Sequence, residues 1–325
     1  MRKTIFILTF FIITGAFSQE KKLGKGELKY YKELIKHFKS KSINKDSIDW
    51  EYFEKKVLTK ALVSRNSAIK TALTLNGESH SFYYRIDNKT KIYGNFESKS
   101  FLGERKKIND IKIENTGFIK INHFVSSKVS LKETIEKSKF YINKNIKNIK
   151  SNDSEKLKCW IIDLRNNGGG SMWPMIVSLT PFLKEGNIGY TVKGKKETNW
   201  RKMNGEIFYG KRNKTKKYLG KPFDYSLKNP EIKVAVLINE WTASSAEATA
   251  IALMSNSNVK FFGTKTFGYP SNNTSIKMKS GDYLHLTTGF WKNYLGIKIS
   301  NSIKPNEIAN SEKDLVEKIT NWINE

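Results

Sequence analysis

A chain of 325 residues with 38% apolar and 12% aromatic residues holds core material for one large or two modest domains, which excludes a disordered polymer. The formal net charge of +27 invites a nucleic-acid partner, but only 7 of the 58 basic residues are arginine, and base and phosphate recognition favours the guanidinium fork. Lysine spread along the whole chain reads instead as a solvated surface, so no nucleic-acid partner is expected. The single cysteine, Cys159, lies in an apolar run, which excludes an internal disulfide and marks a small core residue.

Arg2 and Lys3 precede an uncharged stretch from Thr4 to Phe17, and Ala16-Phe17-Ser18 offers small residues for cleavage. At about fourteen residues the stretch is short of the roughly 20 needed to span a bilayer. Residues 1–18 are therefore predicted to be a signal peptide, and the mature protein to be exported to a periplasm or the cell exterior. Retention of the segment as an anchor is the alternative.

Leu28, Tyr31, Leu34, Ile35 and Phe38 share one helical face, and a second helix is predicted from Asp49 to Leu75, ended by Asn76-Gly77. Ser81 to Tyr84 reads as a strand with Ser79-His80 at its entrance. From Gly117 onward strands and helices alternate: strand 118–121, a Lys-rich helix 130–149, strand 159–164 and helix 172–183. A polar stretch of mixed strand and loop runs to Pro230. Strand 234–238, a helix from Ser244, strand 259–262, a hairpin of 274–278 with 283–288, and a closing helix 312–323 complete the pattern. The alternation predicts an α/β core with largely parallel pairing at 111–325, behind a small helical segment at 19–110 that carries His80. Residues 193–221 are densely basic, with Trp200, Phe208, Tyr209 and Tyr218 interleaved. A solvated strand pair or insertion is expected there; the alternative is a surface that guides an acidic substrate or makes peripheral membrane contact.

Two stretches carry chemistry. Strand 159–164 runs into Arg165-Asn166-Asn167-Gly168-Gly169-Gly170, where glycines let backbone amides approach an anion closely. The P-loop pattern and its lysine are missing, which argues against a nucleotide. Strand 234–238 runs into Thr242-Ala243-Ser244-Ser245-Ala246-Glu247 at the head of a helix. A serine on such a turn is exposed for nucleophilic attack beside free helix amides. Ser244 and Glu247 also fit the capping box S-x-x-E, which needs no chemistry.

D-L-R-N-N-G-G-G, T-A-S-S-A-E and Gly263-Thr264-Lys265-Thr266-Phe267-Gly268, in that order, resemble the C-terminal-processing or tail-specific serine protease family over roughly residues 117 to 308. The resemblance implies a crotonase/Clp-like ββα spiral core and hydrolysis of peptide bonds in peptides or proteins through an acyl-enzyme, without cofactor or metal. It assigns Ser244 as nucleophile, with Ser245 the adjacent alternative, and an oxyanion hole from Ser245, Gly169 and Gly170. In one respect the chain departs from the family: Tyr269 stands where many members carry a lysine base, and a phenol titrating near 10 is a poor base at neutral pH. A lineage that includes the nisin-resistance proteases and the tricorn-type core resembles this chain in pairing a front-segment histidine with the serine. That likeness implies His80 as general base, with Ser79 in support. Lys265 is the lysine alternative, and Glu307, after Pro305-Asn306, is the candidate third carboxylate. A peptide-binding pseudoprotease that lost catalysis with the lysine is the reading from another class. No PDZ-type insertion is recognisable in the sequence, which favours the nisin-resistance-like lineage.

Overall fold

The computed structural model describes residues 22–94, 105, 107–125 and 130–325. The predicted signal peptide lies outside the described residues. Among them, no helix is long and apolar enough to cross a membrane.

Three helices open the chain. α1 (Lys25–Lys41) buries Tyr31, Leu34, Ile35 and Phe38, the face given by its periodicity. The single helix expected over 49–75 is two, α2 (Trp50–Ala61) and α3 (Arg65–Leu75). The break has a local cause: Ser64 is extended, at φ −165° and ψ 157°, and its Oγ accepts the Ser67 amide at 3.1 Å. A serine that caps competes with helix continuation through the same backbone donors. After α3, β1 (Phe82–Tyr84) and β2 (Lys91–Ile92) form a short antiparallel pair.

The remainder follows as β3 (Thr116–Lys120), α4 (Leu131–Asn152), β4 (Cys159–Asp163) and α5 (Met172–Ser178). The helix expected over 172–183 ends early, in a 3-10 turn at Thr180–Phe182 with Pro181 inside it. Next come β5 (Gly186–Lys193), β6 (Lys196–Met203), β7 (Glu206–Tyr209), β8 (Arg212–Asn213) and α6 (Lys214–Leu219). The chain closes with β9 (Lys233–Ile238), α7 (Ser245–Leu253), β10 (Val259–Gly263), β11 (Ser271–Lys277), β12 (Tyr283–Lys292), β13 (Glu307–Ile308) and α8 (Glu312–Asn324).

Parallel pairing holds for one sheet only. Its order is β13-β10-β9-β4-β3, every pair parallel. A second sheet of eight strands, β2-β1-β12-β5-β6-β7-β8 with β11 also on β12, is antiparallel throughout. The polar 186–213 stretch belongs to this second sheet, whose hairpins need no crossover helix and so lack the alternating signature.

Three apolar clusters hold the layers together. Cys159, Ile161, Ala235 and Leu237 pack one face of the parallel sheet against Leu315 and Ile319 of α8. Trp160, Ile162, Val234 and Val236 on the other face meet α4, α5 and α7, and beyond them Ile188, Trp200 and Trp291 of the antiparallel sheet. The front helices join through a third cluster, in which Leu34, Phe38, Phe53 and Leu73 pack against Ile276, Met278, Leu284 and Leu286 of the β11–β12 hairpin. β1 pairs with β12 in register, Phe82 opposite His285. The segment carrying His80 is thereby fixed to the hairpin that follows the G-T-K-T-F-G loop.

Candidate active site

β4 and β9 are neighbours with Asp163 opposite Leu237, so the glycine turn and the serine turn leave the same edge of the parallel sheet. Ligands of open α/β sheets collect at this carboxyl edge. Backbone and side-chain bonds stitch the two turns together. The Ala243 amide donates to Asn167 O at 2.9 Å, and Thr242 Oγ1 donates to Leu164 O at 2.9 Å. Asn166 N donates to Asn239 Oδ1 and Asn239 Nδ2 to Asn166 Oδ1, each at 2.9 Å. Buried Arg165 grips Asp163 with two bonds, Nε to Oδ1 at 2.9 Å and Nη2 to Oδ2 at 2.8 Å, and so shapes the turn without facing a ligand.

Ser244 sits at φ +54° and ψ −116°, a conformation that a side chain rarely adopts. Such strain persists only where the surroundings over-determine it, and it is the posture of a serine on a sharp strand-to-helix elbow. The surroundings here are the glycines. A Cβ on Gly169 would lie 2.9 Å from Ser244 Cβ and 2.8 Å from Ser245 N, and one on Gly170 would lie 2.0 Å from Phe124 O. Only glycine lets the two turns approach this closely.

The adjacent serine is committed elsewhere: buried Ser245 donates its Oγ to Gly170 O at 2.7 Å. Its backbone amide, at the first position of α7, has no partner within the helix and sees the positive end of the helix dipole. Among the expected oxyanion donors, Gly169 differs, because its amide donates to Asn167 Oδ1 at 2.9 Å. Of the three expected donors, Gly169 alone has its amide taken up in this way among the described residues.

Glu247, wholly buried, joins three segments. Oε2 accepts the amides of Ser244 at 2.8 Å and Tyr269 at 2.9 Å, while Oε1 accepts Thr266 Oγ1 at 2.6 Å and the Gly268 amide at 2.9 Å. Burial pushes its carboxyl pKa up, and these four bonds pull it back. The capping box is thus present on its acidic side, and the same carboxylate docks the 266–269 loop beside the nucleophile candidate.

That loop reaches His80. The rings of Tyr269 and His80 stack with centroids 4.6 Å apart and planes 19° apart, and Ser271 Oγ lies 2.8 Å from His80 Nδ1. Tyr269 OH donates to Ser79 O at 3.1 Å. Glu78 Oε2 accepts the His80 amide at 2.8 Å and the Ser81 amide at 3.1 Å, and Asn273 Nδ2 donates to His80 O at 2.9 Å. The imidazole is held on one face by Tyr269 of the loop and on one edge by Ser271, the first residue of β11. Burial pushes the Tyr269 phenol pKa up, further from a base.

The remaining candidates lie apart from this cluster. Lys265 is exposed, whereas its neighbour Thr266 turns inward to Glu247. Glu307 lies on β13 and pairs with Lys260 Nζ at 3.0 Å. Cys159 is buried in β4, and desolvation pushes its thiol pKa up to about 12, away from nucleophilic use.

Residues 115–309 match the profile of Peptidase family S41. The chain belongs to Peptidase family S41. It is a serine-type peptidase, a hydrolase acting on peptides or proteins. The S41 chain is 27% identical over 297 residues to a nisin-resistance protein of Lactococcus lactis subsp. lactis, covering 87% of this chain and 85% of that protein. It is 30% identical over 183 residues to the carboxy-terminal processing protease CtpA of Bacillus subtilis (strain 168), covering 56% of this chain but only 32% of that longer protein. Among solved structures, a lipoprotein from Streptococcus agalactiae superposes with a TM-score of 0.66 over 93% of this chain and 98% of that chain, at 21% identity. The photosystem II D1 C-terminal processing protease does so with a TM-score of 0.57 over 91% and 97%, at 11% identity. These likenesses show a shared mixed α/β fold with helices ahead of the core, as the sequence motifs implied.

Sequence reasoning missed Ser271 as the histidine's partner and Glu247 as the link between serine turn and loop. Glu247 carried a signal in its S-x-x-E spacing. Ser271 carried none, because its partner is 191 residues away.

Proposed function

We propose that this S41 peptidase cleaves peptide bonds with Ser244 as nucleophile and His80 as general base. The observation that carries the reading is the sharing of Glu247 Oε2 by the amides of Ser244 and Tyr269, with the His80 ring stacked on Tyr269. In this mechanism His80 Nδ1 donates its proton to Ser271 Oγ, which fixes the tautomer with Nε2 as acceptor. Nε2 takes the Ser244 hydroxyl proton as Oγ bonds to the scissile carbonyl carbon. The carbonyl oxygen becomes an oxyanion between the amides of Ser245 and Gly170, a contribution of about 3 kcal/mol per donor. Collapse breaks the C–N bond, and Nε2 returns the proton to the leaving amine. Water, deprotonated by the same nitrogen, then releases the acyl group.

His80 is preferred to Lys265 because Lys265 is exposed, whereas His80 is stacked on the loop residue that Glu247 ties to the Ser244 amide. Tyr269 in the lysine position favours the second reading, a peptide-binding pseudoprotease. A serine-directed fluorophosphonate separates the two. Active-site labelling that disappears in Ser244→Ala, with peptide turnover lost alongside, is expected; labelling that survives Ser244→Ala overturns the nucleophile, and no turnover of any peptide supports the pseudoprotease. Export is proposed on the charged-then-apolar pattern of residues 1–18 and the likeness to a lipoprotein, and cell fractionation tests it.

A further inference from the structure

A lysine beside the glycine turn is built like a receptor for a negative charge. Lys214 is 8% exposed, and its Nζ lies 4.9 Å from the centroid of the Trp173 ring and 5.4 Å from that of Tyr209. Among the described residues no carboxylate and no hydrogen-bond acceptor pairs with that Nζ. Lysine is rarely buried unless paired, and two aromatic faces offset only part of the loss of water. Desolvation, helped by the nearby charges of Lys217 and Arg212, pushes the amine's pKa down to about 8. Packing alone would be served as well by methionine.

The position is close to the chemistry. Tyr218 follows Lys214 by four residues on α6, so both point the same way. Tyr218 lies beside Ser171, the residue after Gly170, while Lys214 faces Trp173 in the first turn of α5. Gly170 is the residue whose carbonyl holds Ser245 Oγ. One face of α6 therefore lies along the exit of the oxyanion turn.

We propose that Lys214, seated between Trp173 and Tyr209, is a subsite for a carboxylate of the peptide substrate, either an acidic side chain or the free C-terminus. A carboxylate arriving there meets an ammonium whose stem is buried and whose head is seated against two aromatic rings, so less of the attraction is spent on ordering the lysine. Of the aromatic residues interleaved in the basic 193–221 stretch, the subsite accounts for Tyr209. It rests on the peptidase reading for its substrate.

The test uses the full chain with Ser244→Ala, so that binding is read without turnover. Fluorescein-labelled octapeptides of one sequence are compared by anisotropy at about 0.15 M salt, with Glu against Gln at each position and a free carboxyl against an amide at the C-terminus. One of these carboxylates is expected to tighten binding about tenfold or more over its neutral twin. Which one does so distinguishes an acidic side chain from a chain end. Adding Lys214→Met should bring that ratio close to one, and Lys214→Arg should retain part of it. Lys214→Gln, which keeps a polar head, replaces methionine if the latter does not fold. Absence of any carboxylate preference in the parent, or a preference that survives loss of the ammonium, overturns the subsite. Carboxylate-dependent binding without hydrolysis by the unmutated enzyme would instead leave the subsite standing and refute the Ser244–His80 mechanism.

Discussion

The turn of the proposed nucleophile and the seat of the proposed base are built on opposite principles. Ser244 is fixed by backbone: Gly169 pressed against its turn, the Ala243 amide on Asn167 O, and strand partners on both sides of β9. His80 is fixed by side chains from separate segments, with Tyr269 on its face, Ser271 at its edge, Glu78 on its amide and Asn273 on its carbonyl. A backbone-built site tolerates little change in sequence and announces itself as a motif. A side-chain-built site can exchange its members, and a tyrosine in place of the usual lysine is compatible with this second kind of construction.

The sharpest way to break the comparison is to remove each reacting group in turn. Ser244→Ala is expected to lower kcat by about 10⁴-fold or more, measured on a fluorogenic peptide, since nothing else at the turn can attack. His80→Ala should cost about 10²-fold or more. The unmutated enzyme should then show an acid limb in kcat/KM, because a protonated imidazole cannot accept the hydroxyl proton. If activity instead rises only at alkaline pH and His80→Ala is neutral, a lysine base is at work and the side-chain-built seat has no catalytic part.

Glu247 is where the two constructions meet, so its loss should affect both. Glu247→Ala leaves the amides of Ser244, Gly268 and Tyr269 and the hydroxyl of Thr266 without their buried acceptor. A loss of about 3 kcal/mol of stability in chemical denaturation is expected, together with loss of activity. A variant of unchanged stability and activity would mean that the loop and the serine turn hold their places independently.

How much of this was legible in the sequence follows the same division. The glycine run and T-A-S-S-A-E are contiguous, so the Ser244 turn, its strands and its helix could all be read from order and spacing. The parallel sheet was legible for the same reason: the runs of β3, β4 and β9 are each followed by a helix, as in Val234 to Ile238 before α7. Of the antiparallel sheet, β1 and the β11–β12 hairpin were legible but β5 to β8 were not, because β6 carries Lys196, Glu197, Asn199 and Arg201 and offers no clean alternation, its place being set by Trp200 packing on Trp291 and Trp173. Ser64 splitting one helix into two depended on a single polar residue inside an otherwise helical pattern. His80 was legible as a candidate only through resemblance, and Ser271 not at all, since β11 had first to be laid beside the front segment.

The smallest expected effects probe the base's seat itself. Stacking of the Tyr269 ring is worth about 0.5–1.5 kcal/mol, and the Ser271 bond a similar amount, so each contributes a factor of roughly 2 to 10 in kcat. Tyr269→Leu should therefore lower kcat several-fold with little change in KM, whereas Tyr269→Phe, which keeps the ring and loses only the bond to Ser79 O, should stay close to the parent. Ser271→Ala should act likewise on kcat, by releasing Nδ1 and letting the imidazole turn or change tautomer. The double variant decides between a seat and a collection of contacts. If both residues hold one ring in one orientation, losing either frees it, and the combined loss should fall short of the product of the two. A combined loss equal to the product would mean that face and edge act separately, and that His80 keeps its orientation from Glu78 and Asn273 on its backbone.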